Sequence, residues 1–137
     1  MERRMNGMYS RFNTHVKDPS FYRALRVAHV PLGQKAGLTI SQIAVIRDTS
    51  TALSDDVDPS RALSEVQRAA LAYTDWMTRN IQVPLKVFDA LKALLSDQQV
   101  VEVTVTVATY NMVSRFLIAL DVGDMANVKV PEVEAEK

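Results

Sequence analysis

The chain contains no cysteine. Without thiols there can be no disulfide framework, no thiolate metal site and no cysteine nucleophile. Charge of either sign is not in excess, since sixteen Lys and Arg balance sixteen Asp and Glu. Nothing therefore draws the chain to nucleic acid or to an anionic membrane surface. No apolar run reaches the roughly 18 residues of a membrane span. The first residues, MERRMNGMYSRF, are charged and lack the apolar segment of a secretory signal. A cytoplasmic location is the expectation that follows. Glycine and proline are scarce, with four and five residues. Neither a G-x-G-x-x-G phosphate loop nor a G-x-S-x-G elbow can be found. There are two histidines. They are not at ligand spacing, and His29 has no acid four residues before or after it, so no metal site is expected.

What is present fits one domain with one core: 137 residues, 47% apolar and 23% charged. The longest run free of Gly and Pro is residues 85–122, and its greater part is 96–122, SDQQVVEVTVTVATYNMVSRFLIALDV. Within it, VEVTVTV alternates apolar and polar residues as a half-buried strand does. Yet Val100, Val103, Val107, Tyr110, Ser114 and Leu117 fall at helical spacings. Ser96-Asp-Gln-Gln99 has the S-x-x-Q form of a capping box, and nothing interrupts the chain before Gly123. The run is therefore predicted to be one long helix, despite the modest helix propensity of Val and Thr.

Two more capping boxes, Thr39 to Gln42 and Ser64 to Gln67, open helices at 40–47 and from Ser64 to about Arg79. An amphipathic helix with the stripe Leu85, Phe88, Leu91 and Leu95 is predicted for 85–95. Asp18-Pro19-Ser20 starts a helix that should run to about Lys35. Gly37 ends it, and Pro31 should kink or divide it just after His29. Residues 48–60 read as a polar, acidic loop. The pattern makes the fold all-α, with five or six helices. Three parts are expected: an N-terminal arm or short helix over 1–19, a helical domain over 20–122, and a C-terminal tail over 123–137.

Few side chains here can carry chemistry. On the helix from Pro19, Tyr22, Arg26 and His29 share a face at i, i+4 and i+7, where His29 could transfer protons. The plainer reading is a surface histidine beside an ordinary arginine. On the long helix, Arg115 could hold a substrate carboxylate through its planar fork, with Tyr110 and Asn111 as hydrogen-bond donors. The structural alternative satisfies Tyr110 and Asn111 inside the core and pairs Arg115 with an acid such as Asp121 or Glu65. A tryptophan such as Trp76 is more often a core or interface residue than a substrate platform.

HVPLGQKAGLTISQI, then LSEVQRAALAYTDWMTRNIQVPLKVFDALKALLSDQQVVEVTVTVATYNMVSRFLIALDV, resembles the carboxymuconolactone decarboxylase-like family of the alkylhydroperoxidase D-like superfamily. The resemblance covers roughly residues 20–122. Its most distinctive parts are LS-x-x-Q-x-V-E-x-T, then Y-N-M-V-x-R-F-L-x-A-L-x-V, and His29 eight residues before the Gly of K-A-G. It implies an all-α, alkylhydroperoxidase D-like bundle of about five to seven helices. It also implies a homo-oligomer (trimer, hexamer or dimer) with active sites near subunit interfaces. The family includes lactone decarboxylases that need no cofactor and disulfide-reducing peroxidases with a C-x-x-C-x-x-x-H motif. Those motif positions are Tyr22, Leu25 and His29 here, and only the histidine matches, so thiol peroxidase chemistry is disfavoured. Cysteine-free relatives often carry an acid at the Leu25 position and a second histidine at the Ala28 position, and this chain departs at both. Members usually have one or two further helices before the His29 helix. Either this is a short version completed by its neighbours in an oligomer, or the chain begins late.

The expected activity is that of a cofactor-independent lyase, a decarboxylase of a small carboxylated lactone, β-keto acid or polyketide-derived aromatic acid. His29, Tyr110 and Asn111 are the expected catalytic residues, and Arg26, Arg115, Tyr22 and Trp76 the substrate-binding ones. An isomerase or dehydratase on a similar substrate, or a non-catalytic oligomer that binds small acids, stands as the alternative.

Overall fold

A computed structural model of the chain describes residues 29–120, less the side chains of Leu117 and Ile118. The arm over 1–19, the start of the first helix and the tail after Gly123 lie outside the described residues. Five helices and no strand are found among those described. They are α1 (29–35), α2 (Ile40–Arg47), α3 (Glu65–Arg79), α4 (Leu85–Lys92) and α5 (Asp97–Ala119).

Local sequence sets the helix ends. α1 stops at Gly37, whose φ of 88° suits a residue without a Cβ. There the amide of Gly37 donates to the Gln34 carbonyl at 2.8 Å and that of Leu38 to the Gly33 carbonyl at 2.9 Å. This closes the helix in a Schellman turn, with Leu38 tucked into the core. Residues 29–35 are helical straight through Pro31, so no division falls after His29, while the preceding turn that a kink would bend lies outside the described residues. The missing proline donor and the ring clash concern the carbonyl four residues earlier, not the turn that follows. Leu32, one residue after Pro31, is exposed. The capping boxes at Thr39 and Ser64 both form. At Ser96 the same reciprocal bonds are present, Gln99 amide to Ser96 Oγ at 3.3 Å and Ser96 amide to Gln99 Oε1 at 3.0 Å.

Two apolar clusters meet on α3. Leu71 joins Val30, Leu38, Ile43, Ile46, Val57 and Leu63, which ties α1, α2 and the following loop together. Ala70 and Tyr73 join Leu91, whose side chain is 0% exposed, with Phe88, Leu95 and Val103 packed around them. Burying Leu91 contributes about 1.5–3 kcal/mol by area alone. α3, α4 and α5 pack pairwise. Tyr73 Oη lies 2.9 Å from Thr104 Oγ1, and Asn111 Nδ2 donates to Thr78 Oγ1 at 3.2 Å. Both contacts advance along the two helices together, so α3 and α5 run the same way. α4 ends three residues earlier than predicted, and Leu85 is exposed rather than part of its buried stripe. Leu85 stands in the first turn, where the connector from Asn80 arrives and no helix covers it.

The long run is a helix of 23 residues, about 34 Å. Val100, Val107 and Ser114 are buried and Val103 and Tyr110 half-buried, as their spacing requires. Its hydroxyls bond backward to carbonyls one turn earlier: Thr104 to Val100 at 2.8 Å, Thr106 to Glu102 at 2.7 Å and Ser114 to Tyr110 at 2.7 Å. The donors of these three hydroxyls are thereby satisfied within α5 itself.

The acidic loop before α3 is built on Asp58, whose side chain is 0% exposed. Its Oδ2 accepts from the Leu63 amide at 2.7 Å, and its Oδ1 from Ser60 Oγ at 2.7 Å and the Ala62 amide at 3.3 Å. Burial raises the carboxyl pKa. The Leu63 amide, the Ser60 hydroxyl, the Ala62 amide and the Arg68 charge outweigh that and hold it below the usual range. Arg61, with φ of 58°, is held in that left-handed turn by two bonds to Asp56, at 3.0 and 3.1 Å.

Candidate functional site

The site candidate is where α1, α3 and α5 meet. The rings of His29 on α1 and Tyr110 on α5 stand edge to face, with centroids 6.5 Å apart and planes at 86°. Both side chains are half-buried. Burial lowers the His29 pKa below its ordinary value, because low-polarity surroundings disfavour the imidazolium. The imidazole is therefore neutral at pH 7, and its protonated form is a stronger acid than a solvent-exposed histidine.

Asn111, next to Tyr110, is buried. Its Nδ2 donates to Thr78 Oγ1 at 3.2 Å and to the Val107 carbonyl at 3.1 Å. The carbonyl partner fixes the orientation of the amide, since only nitrogen can donate to it. Both amide hydrogens are thus spent inside the fold, and Oδ1 is the atom that could face a ligand. Asn111 locks α5 to α3 and so sets where Tyr110 stands. Arg115, one turn on, is exposed. No ion pair joins it to Glu65 among the described residues. Tyr22 and Arg26 lie outside the described residues, as does Asp121. Trp76 is not part of this junction. It borders the groove of about 560 Å³ between α3 and α4, with Val87, Ala90 and Leu94.

α3 brings charges that apolar periodicity did not select. Asp75 is 1% exposed, and Arg79 one turn later is half-buried. Asp75 lies between Leu71, which packs with Val30, and Thr78, which holds Asn111. At i, i+4 and i+7 these three share a face, so Asp75 stands on the side of α3 turned toward the His29 and Tyr110 elements. A charged residue falling in step with a buried leucine was the signal available in the sequence. No group of three or more His, Cys, Asp or Glu able to hold a metal ion is found among the described residues.

A helical protein with a desolvated histidine against a tyrosine is the class that fold and site define. Comparison of the chain with protein-family models, curated proteins and solved structures gave no match.

Proposed function

We propose that the protein is a cofactor-independent carbon–carbon lyase. Its reaction would be decarboxylation of a small carboxylated lactone, β-keto acid or polyketide-derived aromatic acid. The observation that carries this reading is the contact between half-buried His29 and Tyr110, two residues that the family resemblance also singles out. Loss of CO₂ leaves an enolate that must be stabilised as an oxyanion and protonated on carbon. Tyr110 Oη is suited to the first task and the His29 imidazolium to the second. With its hydrogens committed, Asn111 serves by positioning Tyr110 rather than as an oxyanion donor. The test is incubation of the purified protein with β-keto acids and carboxylated lactones, following CO₂ release. Release above the uncatalysed rate is expected; acids bound but unchanged would favour the reading of a binding protein.

We further propose that the chain works as a homo-oligomer. Val101, Val105, Ala108, Met112 and Phe116 are exposed on one side of α5, Met112 at 63% and Phe116 at 61%. They form an uncharged stripe at helical spacing. Such a stripe suits a copy of itself, because a two-fold interface pairs each patch with its own image. Sedimentation of the full chain is expected to show an oligomer, and Met112→Glu to shift it toward monomer. A wild-type monomer would overturn the homo-oligomer reading.

A further inference from the structure

Arg79 is a charged group that the fold leaves unexplained, one turn from Asp75, whose Oδ1 is also buried without a hydrogen bond among the described residues. The Nε and Nη2 of Arg79 are both buried, and neither makes a hydrogen bond among the described residues. No ion pair links it to Asp75, one turn earlier. A buried cationic donor pair without an acceptor is unfavourable enough to need a reason. These two nitrogens also form one edge of the guanidinium plane, the edge that takes both oxygens of a carboxylate side by side. The unsatisfied atoms are therefore a matched pair pointing one way.

Arg79 falls four residues after Asp75 and eight after Leu71, on the side of α3 turned toward the candidate site. Thr78, the residue before Arg79, holds Asn111, and Asn111 follows Tyr110, whose ring meets His29. Leu71, further back on the same side of α3, packs with Val30, the residue after His29. Arg115 is exposed instead, so its charge is largely spent on water. With Asp75 1% exposed one turn away, the surroundings are low in polarity and favour a ligand of low charge over a phosphate dianion.

We propose that the Nε–Nη2 edge of Arg79 clasps the carboxylate of the ligand bound beside His29 and Tyr110. This rests on the small-acid reading of the site and gives to Arg79 the role that sequence had assigned to Arg115. The test is calorimetric titration of the full chain with benzoate and with levulinate, a keto acid that does not lose CO₂. The corresponding uncharged amides and inorganic phosphate are run alongside. The acids are expected to bind and the amides not. Arg79→Gln should weaken acid binding at least tenfold. Arg79→Lys, which keeps the charge but not the planar edge, should fall between. Lys35→Gln, at an exposed site, should bind as the wild type does. The unliganded Arg79→Gln protein should melt no lower than wild type, since the lost groups make no bond in the fold. Equal binding of acids and amides, undiminished binding by Arg79→Gln, tighter binding of phosphate, or no acid binding by the wild type would each overturn the proposal. CO₂ release is read separately. Acids held through Arg79 without turnover would leave the clasp standing and remove the lyase. Turnover with unchanged KM in Arg79→Gln would do the reverse.

Discussion

Replacing His29 with alanine is expected to lower turnover about 10²- to 10⁴-fold, the range that a positioned proton-transfer group supplies. The fold should survive, because His29 is half-buried and its neighbour Val30 provides the core contact. The pH profile identifies which way the proton moves. Burial lowers the His29 pKa, so near neutrality only a minor fraction carries the proton that an enolate needs. As a proton donor, His29 makes kcat/KM fall as the pH rises through that lowered pKa. As a base that starts an isomerisation or dehydration, it gives the opposite slope. Decarboxylation predicts the falling limb, and its loss in His29→Ala. A rising limb carried by His29 would replace the lyase with proton abstraction, and full activity in His29→Ala would remove the residue from the mechanism.

The largest expected effect on stability is at Asp58. Asp58→Ala leaves the Leu63 and Ala62 amides without their acceptor. A buried donor stripped of a charged partner costs about 1–3 kcal/mol, and here there are two. A loss of about 3 kcal/mol in denaturant unfolding is expected. The acid limb of the stability curve follows from the same bonds. The folded pKa is depressed, so the carboxylate's contribution is fully present above its unfolded value of about 3.9 and is lost as the pH falls through the folded one. Unfolding curves of wild type and Asp58→Ala should therefore converge in acid. A constant gap between them down to strongly acid pH would show that the loop does not depend on this charge.

Helices were legible in the sequence wherever an end was marked by chemistry. Thr39, Ser64 and Ser96 each announced a first turn through a glutamine three residues on, and Gly37 announced a last one. Spacing then placed Val100, Val107 and Leu91 inside. It failed where burial follows polar rather than apolar chemistry. Asp58 sits in a segment whose composition reads as solvated loop, and its burial depends on amides that only the folded turn aims at it. Asp75 and Arg79 escape a reading by apolar periodicity, because charged side chains are as a rule exposed. Asn111 was visible as a polar residue in an apolar helix. Which of its atoms remain for a ligand depends on Thr78, thirty-three residues earlier. Leu85 marks the opposite failure, an apolar residue in register with its stripe that no neighbour covers.

The α5 segment VEVTVTV keeps two conformational preferences in one stretch. Its helix depends on the capping turn at Ser96 and on packing against α3 and α4, while its side chains favour extended pairing. Released from those contacts, it becomes a short β-prone window with Glu102 as its one charge. Partial opening of this protein is therefore hazardous out of proportion to the free energy involved. Detaching α5 frees a strand able to recruit others, so whatever tightens the bundle also guards the chain against fibrillar self-association.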